Sequence, residues 1–454
     1  MTCEDRAMQQ LASRPWATTA VALAGAGMVA AAPVVTPLPN VQIPEISVHD
    51  ISVQLMSTAD VVIDFIRHGE STDNIANLVG TVPTGAGLTD DGITQAKAIG
   101  DILKLAQPNL GPNGFGAITS ENQVFASEFL RAQQTAWPLL HAILGDSGAG
   151  TSMPTELADV GAAIKGLPSD NVLAGLNEIN AGLLDKGSLL GSLMQPLGRL
   201  NEILYILPPF LWTLGFPIVP EWGSLDNFNG VVFNDNFSGA VNTIYGSLVN
   251  QSGELADPSV NNAAAFSHAA AIMAWTQMNV NNPNPLMMFT DPLSNTSQVV
   301  VSGNPIDGWV LESWNGTDVL PANLWQDLFV NTRDLMVAPQ AALTHLGESL
   351  IAFDPSDIPG SLQNVFGTLQ TGLTDIFQTT LGYPGAMISD IIDAFQGNFM
   401  HEFGIDALMQ LFSGLGGGGL LPLDFADLLP SMGGDMAAMV GGDLLASILT
   451  SLAF

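Results

Sequence analysis

The sequence predicts an α/β fold in which helices cover a mainly parallel sheet. Short apolar runs alternate with segments whose apolar residues recur at helical spacing, and polar or small residues bound each run. Strands that alternate with helices in this way imply a layered α/β domain. The length of 454 residues leaves room for segments outside such a domain.

The predicted elements begin at residue 61. Strands are expected at residues 61–65, 124–126, 263–266, 298–301 and 309–314. Thr89 is expected to cap the helix after the first strand, and Ser127 the helix after the second, which Pro138 should kink or restart. The last two strands should flank a turn at residues 303–305.

Two stretches do not fit this pattern. Leu189 to Trp222 is strongly apolar and rich in aromatic residues and proline, which predicts a helical insertion, at about residues 187–230, suited to cap a site. From Asp334 to Phe454 there is no lysine or arginine. Residues 321–454 are therefore predicted to form an acidic helical extension rich in Gly, Leu and Met.

The first residues have the layout of a secretory signal peptide, predicted at residues 1–32. Arg6 and Arg14 precede an apolar run that ends in alanines, and cleavage is expected after Ala30 or Ala31 because Pro33 disfavours a later cut. An uncleaved N-terminal anchor is the alternative. Residues 33–58 are proline-rich and predict an extended linker. A secreted or cell-envelope location in a bacterium is expected.

Composition excludes several classes of function. Ten basic residues face 43 acidic ones, giving a net charge of −33, so nucleic-acid binding is not expected and anionic lipid headgroups are disfavoured. The single cysteine, Cys3, precedes the cleavage site. The mature chain would therefore lack disulfides, zinc–thiolate clusters and a thiol nucleophile, and we expect no metal or other cofactor.

The segment Arg67-His68-Gly69-Glu70-Ser71 follows the first predicted strand, at the end where open α/β sheets form their sites. A neutral imidazole can accept a phosphoryl group, and a neighbouring guanidinium can hold its oxygens. Gly69 would let the backbone approach an anion, and Ser71 and Asn74 supply neutral donors nearby. These residues predict a phosphoryl-transfer site.

Further motifs follow in a fixed order along the chain. They are Leu88-Thr89 with Gly92 and Gln95, Ser127 with Arg131 and Thr135, Leu176-Asn177-Glu178, Ser267-His268 and Gly308-Trp309. This ordered set resembles the phosphoglycerate-mutase-like branch of the histidine phosphatase superfamily, over about residues 59–316. The resemblance implies a three-layer sandwich with a mainly parallel central sheet, in a domain placed at residues 59–320.

The resemblance also implies roles for individual residues. His68 matches the phosphoryl-accepting histidine, and Arg67, Arg131 and His268 match the rest of the phosphate pocket. Ser71 and Asn74 match polar substrate contacts. Glu178 matches the proton donor, and the alternative is a solvent-facing glutamate on a helix.

Three departures from the family pattern refine the expectation. Residues 80–84 replace the usual Gly-Trp-x-Asp segment, and residues 269–271 are alanines where glycines are common. Basic residues that would hold a second acidic group, as in the mutases, cannot be placed, which favours a phosphatase. The apolar insertion favours a phosphorylated small molecule that is amphiphilic or bulky, and lipid or envelope contact through the insertion or the extension is a further expectation.

The leading hypothesis is an exported histidine phosphatase of the acid type, which hydrolyses phosphomonoesters through a phosphohistidine on His68 with Glu178 as proton donor. One alternative is a weakly active or inactive phosphatase fold that serves as a binding or scaffold protein of the cell envelope. Another is an envelope interaction protein whose functional part is the segment after Asp334.

Overall fold

The computed structural model describes residues 58–108, 110, 114–194, 199–224 and 226–404. The predicted signal peptide, the predicted linker up to residue 57, and residues 405–454 of the predicted extension lie outside the described residues. None of the helices in the described part of the chain is both long enough and apolar enough to cross a membrane.

The described strands form one sheet in the order β2-β3-β1-β4-β5-β6. Their bounds are Val61–Arg67 (β1), Val124–Ala126 (β2), Asn262–Ser267 (β3), Gln298–Asn304 (β4), Gly308–Trp314 (β5) and Thr317–Asp318 (β6). β2, β3 and β1 pair in parallel, whereas β4 pairs antiparallel with β1, β5 with β4, and β6 with β5. Each predicted strand lies within β1 to β5, and β6 is a short addition.

The α-helices follow the strands in the alternation that the sequence predicted. They are Thr72–Ile75 (α1), Asp90–Leu103 (α2), Leu130–Ala149 (α3), Leu189–Met194 (α4), Arg199–Thr213 (α5), Gly230–Leu248 (α6), Ala269–Asn279 (α7), Met287–Thr290 (α8), Leu324–Ile351 (α9), Ile358–Gln396 (α10) and Phe399–Glu402 (α11). The predicted insertion contains α4 and α5, and α6 begins where the insertion was predicted to end.

The sheet separates two apolar cores because successive side chains of a strand point to opposite faces. In β1, Ile63 and Phe65 pack into one core with residues of α5, α6 and α7. Val62 and Ile66 pack into the other core with residues of α2 and α3. Helices therefore cover both faces of a central sheet, which confirms the predicted α/β sandwich.

One of the predicted helix signals is wrong in detail. Thr89 caps α2 as expected, its hydroxyl accepting from the Gly92 amide. Ser127 does not cap α3, which begins after Phe129; its hydroxyl lies 2.8 Å from Nε2 of His268 and accepts from the Phe129 amide at 3.3 Å. Pro138 lies inside α3, where a kink at this residue stays a prediction, and a non-helical residue follows at Gly145 with φ 66°.

The turn between β4 and β5 also lies slightly later than predicted. Both strands extend further, and residues 305–307 make the turn. Asn304 stabilises it, because its side-chain oxygen accepts from the amides of Ile306 and Asp307 at 2.9 and 2.8 Å.

The described residues divide into two compact units. Residues up to Pro321 and residues 333–382 form the first, and residues 322–332 with those from 383 onwards form the second. Residues 333–382 of the predicted extension therefore belong to the unit that contains the sheet. His345 bonds to Asp235 at 2.8 Å within that unit. Within the second unit, the amide of Asn331 donates to Asp390.

Candidate active site

The parallel pairing of β1 and β3 places two histidines side by side. The register sets Arg67 opposite Ser267, so His68 and His268 follow at the same edge of the sheet. The His68 amide donates to the Ser267 carbonyl at 3.0 Å, and the two imidazole centroids lie 5.1 Å apart. Residues 200 positions apart in the sequence thus meet where the parallel strands end.

The hydrogen bonds of His68 define its tautomer. Nδ1 lies 2.7 Å from the Gly69 carbonyl oxygen, which can only accept, so Nδ1 carries the proton. Nε2 accepts from Nε of Arg131 at 3.0 Å and therefore has a lone pair. Burial, together with Arg131 and Arg67, holds the pKa of His68 well below its ordinary value. The ring is thus the neutral nucleophilic form at neutral and mildly acidic pH.

Arg131 links the two histidines. Its Nη2 donates to the Gly80 carbonyl at 3.1 Å and to Nδ1 of His268 at 3.2 Å. Nε2 of His268 then donates to the Ser127 hydroxyl at 2.8 Å. Nη1 of Arg131 is buried and makes no hydrogen bond to any residue that the structure describes. Burial lowers the pKa of Arg131 to about 10, so the guanidinium stays charged at neutral pH.

Burial, and then Arg131 and the other ring, also hold the pKa of His268 well below its ordinary value. This histidine is therefore neutral, with Nδ1 as the acceptor from Arg131 and Nε2–H as the donor to Ser127. The arrangement keeps His268 from adding a positive charge at neutral pH.

Arg67 supplies the second cation. Its Nη1 donates to the Leu293 carbonyl at 2.6 Å, whereas its Nε is buried without a hydrogen-bond partner among the described residues. Burial lowers the pKa of Arg67, and Glu178 and Glu202 act in the opposite direction. Arg67 and Arg131 both act on the charge of His68, and each retains at least one N–H without a partner among the described residues, as a site for a phosphate oxygen requires.

Glu178 lies beside both arginines. It follows a 3-10 helix, Ala174–Leu176, and is partly buried, unlike the solvent-facing helical glutamate of the alternative interpretation. Its Oε1 accepts from the amides of Ile179 and Ala271, each at 3.0 Å. Burial raises its pKa, and Arg131 and those two amides partly oppose the rise. The protonated carboxyl is thereby favoured relative to an exposed glutamate.

Ser71 and Asn74 are bound to each other. Ser71 caps α1, and Oδ1 of Asn74 accepts from the Ser71 amide at 3.0 Å. Asn295 joins them, because its Nδ2 donates to Oδ1 of Asn74 at 3.2 Å and to the His68 carbonyl at 3.1 Å. The structure therefore gives Ser71 and Asn74 a part in holding the His68 loop, and their contact with substrate stays a prediction.

Polar residues of the second and third motifs hold the same loop. Thr135 on α3 accepts from the Gly69 amide at 3.0 Å, and Gln95 on α2 accepts from the Glu70 amide at 2.8 Å. A Cβ on Gly69 would lie 2.7 Å from the Gly92 carbonyl oxygen. Close packing of two backbone segments thus explains glycine at position 69, in addition to the room for an anion that the sequence suggested.

Sequence reasoning missed three groups of the site. Asn295 and the Leu293 carbonyl lie in the loop before β4, and no motif marks that loop. Tyr205 comes from α5 in the insertion, and its hydroxyl donates to the Ile179 carbonyl at 2.8 Å. Its position inside an apolar, proline-containing segment gave no sequence signal of a polar role. Among the residues that the structure describes, no group of His, Cys, Asp and Glu side chains is arranged to hold a metal ion.

Comparison with known proteins identifies the domain. Residues 63–145 match the family model described as the histidine phosphatase superfamily, branch 1. The chain contains a histidine phosphatase domain. The matched residues include Arg67, His68 and Arg131, and the geometry adds Glu178 and His268 from later in the chain.

The histidine phosphatase domain has relatives of several kinds. The chain is 38% identical over 336 residues to the PE-PGRS family protein PE_PGRS11 of Mycobacterium tuberculosis (strain ATCC 25618 / H37Rv), which covers 74% of this chain. The chain spans about half (49%) of the length of that relative.

Solved structures are more distant. A mycobacterial glucosyl-3-phosphoglycerate phosphatase is 18% identical with a TM-score of 0.37, covering 57% of this chain and 99% of its own. A phosphoserine phosphatase variant from Entamoeba histolytica, in complex with phosphoserine, is 17% identical with a TM-score of 0.35, covering 56% of this chain and 96% of its own.

Proposed function

We propose that the histidine phosphatase domain hydrolyses phosphomonoesters through a phosphohistidine intermediate on His68. One observation carries the proposal: Nε2 of His68 has a lone pair that accepts from Arg131, and Arg131 and Arg67 each retain a buried N–H with no partner among the described residues. A nucleophile and charged donors for the phosphate oxygens are the minimum that phosphoryl transfer needs.

In the first step, Nε–H of Arg131 gives up its hydrogen bond to Nε2 of His68, Nε2 attacks phosphorus, and the bond from phosphorus to the ester oxygen breaks. Arg131 and Arg67 stabilise the equatorial oxygens through N–H groups that have no partner among the described residues. The leaving oxygen takes the proton of Glu178 and departs as the alcohol. The bond from Nδ1 to the Gly69 carbonyl persists and supports the positive charge on the phosphorylated ring.

In the second step, water attacks phosphorus and the bond from phosphorus to nitrogen breaks, returning the electron pair to Nε2 of His68. The carboxylate of Glu178 takes one proton from that water, so the acid of the first step is regenerated. Inorganic phosphate then leaves, and the enzyme returns to its starting protonation state.

The two perturbed groups support an acidic to neutral working range. The lowered pKa of His68 keeps the nucleophile neutral below pH 6.5, the ordinary value for histidine. The raised pKa of Glu178 keeps the donor protonated above pH 4.5, the ordinary value for glutamate. Activity should therefore fall at higher pH as Glu178 ionises, which is the behaviour proposed for an acid-type enzyme.

The proposed substrate is a small phosphate ester with an amphiphilic or bulky alcohol. Lys186 is held by both carboxylate oxygens of Asp73 at 2.5 and 2.7 Å, so it is not available for a second acidic group. The helices of the insertion expose apolar side chains: Leu189, Leu190, Leu193, Leu200, Ile203, Leu204 and Leu207. The last four share one face of α5. This face also supports the proposal of contact with a lipid or envelope surface.

A series of alkyl phosphates with rising chain length tests the substrate proposal. If the apolar face assists, kcat/KM should rise with chain length in the wild type and rise less in Ile203→Asn. Ile102→Asn, at an exposed position on α2, is the matched control and should follow the wild type. Equal kcat/KM for short and long chains would rule out an apolar subsite.

The mechanism is tested with His68→Asn and an aryl phosphate, without added metal, at acidic to neutral pH. His68→Asn should lose turnover and should no longer acquire an acid-labile ³²P label from a ³²P-labelled substrate. The control His141→Asn, at an exposed site bonded to Asp146, should behave as wild type. Full activity in His68→Asn would refute the phosphohistidine route. Phosphate binding without turnover in the wild type would favour the inactive, binding alternative.

We also propose that the protein is exported, on the basis of residues 1–32 of the sequence. The mature protein should begin at Ala31 or Ala32, as N-terminal sequencing of extracellular or envelope fractions would reveal. Recovery of the full-length chain from the membrane fraction would instead support the uncleaved anchor. Recovery of the full-length chain from the cytoplasm would refute export.

A further inference from the structure

Residues 79–85, which include the departure from the Gly-Trp-x-Asp segment of the family pattern, form a loop beside Arg131. Nη2 of Arg131 donates to the Gly80 carbonyl at 3.1 Å. A Cβ on Gly85 would lie 2.7 Å from Nη1 of Arg131. The loop therefore bonds to Nη2 and passes close beside Nη1, whose N–H groups have no partner among the described residues.

One buried threonine ties this loop to the segment that follows Glu178. Oγ1 of Thr81 donates to Oδ2 of Asp185 at 2.8 Å and accepts from the Ala181 amide at 2.9 Å. The Thr81 amide donates to the same carboxylate oxygen at 2.7 Å. Thr81 and Asp185 are 4% and 5% exposed, so the loss of either bond would leave a buried polar group without a partner.

Asp185 is fixed in turn by its own segment. Its Oδ1 accepts from the Gly187 amide at 2.7 Å, so both carboxylate oxygens accept hydrogen bonds. The amide of Lys186 donates to the Val79 carbonyl at 2.8 Å. The segment after Glu178 therefore holds the loop on both sides of Gly80.

The position of the Gly80 carbonyl bears on the direction of the Arg131 guanidinium. In the proposed first step Nε–H of Arg131 leaves His68, whereas the bonds from Nη2 to Gly80 and His268 can persist. A guanidinium is planar and rigid, so the direction of Nη2 also fixes that of Nη1. Hydrogen bonds weaken steeply as the donor angle departs from linearity. A displaced loop would therefore turn Nη1 away from a phosphate oxygen.

We propose that Thr81 and Asp185 are positioning residues, which fix the Gly80 carbonyl and thereby direct Nη1 of Arg131 at the phosphoryl group. Both act through Arg131 and not through contact with substrate. The inference rests on the proposed function and deepens it, because it couples the phosphate site to the segment that carries the proton donor, Glu178.

The first test is Thr81→Val, which keeps the shape of the side chain and removes the hydroxyl. The dissociation constant of inorganic phosphate should rise about 5- to 30-fold, an effect of the order of one charge-assisted bond. The kcat/KM for an aryl phosphate should fall by a similar factor. Thr81→Ser restores the hydroxyl and should bind phosphate within about twofold of the wild type. Phosphate binding in Thr81→Val within about twofold of the wild type would overturn the proposal.

Asp185→Asn is a second variant, which weakens the same contact from the other side. A neutral amide oxygen accepts more weakly than a carboxylate, so the phosphate dissociation constant should rise about 3- to 10-fold. An unchanged dissociation constant in Asp185→Asn would contradict the inference. If Thr81→Val does not melt cooperatively, Asp185→Asn decides the question.

Thr213→Val is the matched control for the loss of a buried hydroxyl. Thr213 is fully buried, and its hydroxyl donates to the Phe210 carbonyl at 2.7 Å within α5. The melting temperature of Thr213→Val should fall, but its phosphate dissociation constant should stay within about twofold of the wild type. A rise equal to that in Thr81→Val would mean that general loosening of the fold weakens the site, and would refute the specific role of Thr81.

A double variant separates positioning from general support of the fold. Arg131→Met has no guanidinium to direct, so adding Thr81→Val should raise its phosphate dissociation constant by less than about twofold, as measured by phosphorus NMR at millimolar phosphate. A rise by the same factor in both backgrounds would refute a role through Arg131.

The same measurements distinguish failure of this inference from failure of the proposed function. A wild type that binds phosphate without turnover would be a failure of the proposed hydrolysis alone, and the phosphate dissociation constants of the variants would still decide the role of Thr81 and Asp185. A wild type that binds no phosphate would overturn both.

Discussion

Replacing Arg131 should separate its structural bonds from its contribution to phosphate binding. Three of its five N–H groups bond to His68, Gly80 and His268, and the two on Nη1 have no partner in the described part of the chain. If both unspent groups bind the transferring phosphoryl group, each charge-assisted bond contributes about 1.5–3 kcal/mol. Arg131→Met should then lower kcat/KM by about 10²–10⁴-fold.

Arg131→Lys refines this estimate. The ammonium keeps the charge but has three donors on one atom, so it cannot bridge both histidines and also bind two oxygens. A loss of about 10- to 100-fold in kcat/KM is expected, equivalent to about one charge-assisted bond. Lys97→Met, which removes an exposed cation from α2, is the control and should stay within about twofold.

The assay is kcat/KM for an aryl phosphate together with competitive inhibition by inorganic phosphate. If Arg131 holds the phosphoryl group, the inhibition constant for phosphate should rise in both variants, more in Arg131→Met. A phosphate inhibition constant within about twofold of the wild type in Arg131→Met would refute the assignment. Melting curves of each variant check that lost activity does not reflect unfolding.

Three other predictions follow from the same structure. Glu178→Gln should slow hydrolysis of an alkyl phosphate by about 10²–10⁴-fold but that of dinitrophenyl phosphate by less than about 10-fold, and equal losses would exclude a general acid. Burial raises the pKa of Asp64 from 3.8 to about 7, so its stability contribution is present below pH 3.8 and lost as pH rises towards 7. In denaturant titrations, Asp64→Asn should therefore raise the free energy of unfolding by up to about 4 kcal/mol at pH 8 and leave it unchanged at pH 4. Equal effects at both pH values would contradict this reasoning. Gly92→Ala should lower the free energy of unfolding by about 1–3 kcal/mol, because its Cβ would overlap the Glu70 carbonyl. Gly246→Ala, whose Cβ would have nothing within 4 Å, should raise the free energy of unfolding by about 0.5–1 kcal/mol. Similar shifts of the melting temperature in the two variants would refute the packing argument.

The part of the fold near β1 could be predicted because its signals are local. An apolar run buried on both faces marks β1, and a capping threonine marks the start of α2. The position of Ser127 could not be predicted in the same way. A serine before a helix often caps it, but the Ser127 hydroxyl contacts the ring of His268, which comes 141 residues later in the chain, and accepts from the Phe129 amide rather than from an amide within α3.

The candidate site was predictable where a residue belongs to a motif and not where a loop supplies it. Arg67, His68 and Arg131 meet because β1 and α3 bring their motifs together. Asn295 and Tyr205 come from a loop and an insertion whose composition follows packing and turn requirements. Such groups become visible only when a folded chain reveals which carbonyls and carboxyls they contact.

A chain with a net charge of −33 can still hold an anion because the relevant charges are close and buried. At 4 Å and an effective dielectric constant near 20, one arginine attracts a unit anion by about 4 kcal/mol. A surface carboxylate 15 Å away repels it by less than about 0.1 kcal/mol, since water and a Debye length of about 8 Å screen it. Arg67 and Arg131 therefore determine whether phosphate binds, and the remote acidic residues affect chiefly how fast it arrives. The carboxylates that do matter are Glu178, Glu202 and Asp73, because they lie close enough to influence the pKa of Arg67 or of Arg131. Scarce basic residues and abundant acidic ones thus pose little obstacle to a phosphatase site, provided the few arginines are placed beside the nucleophile.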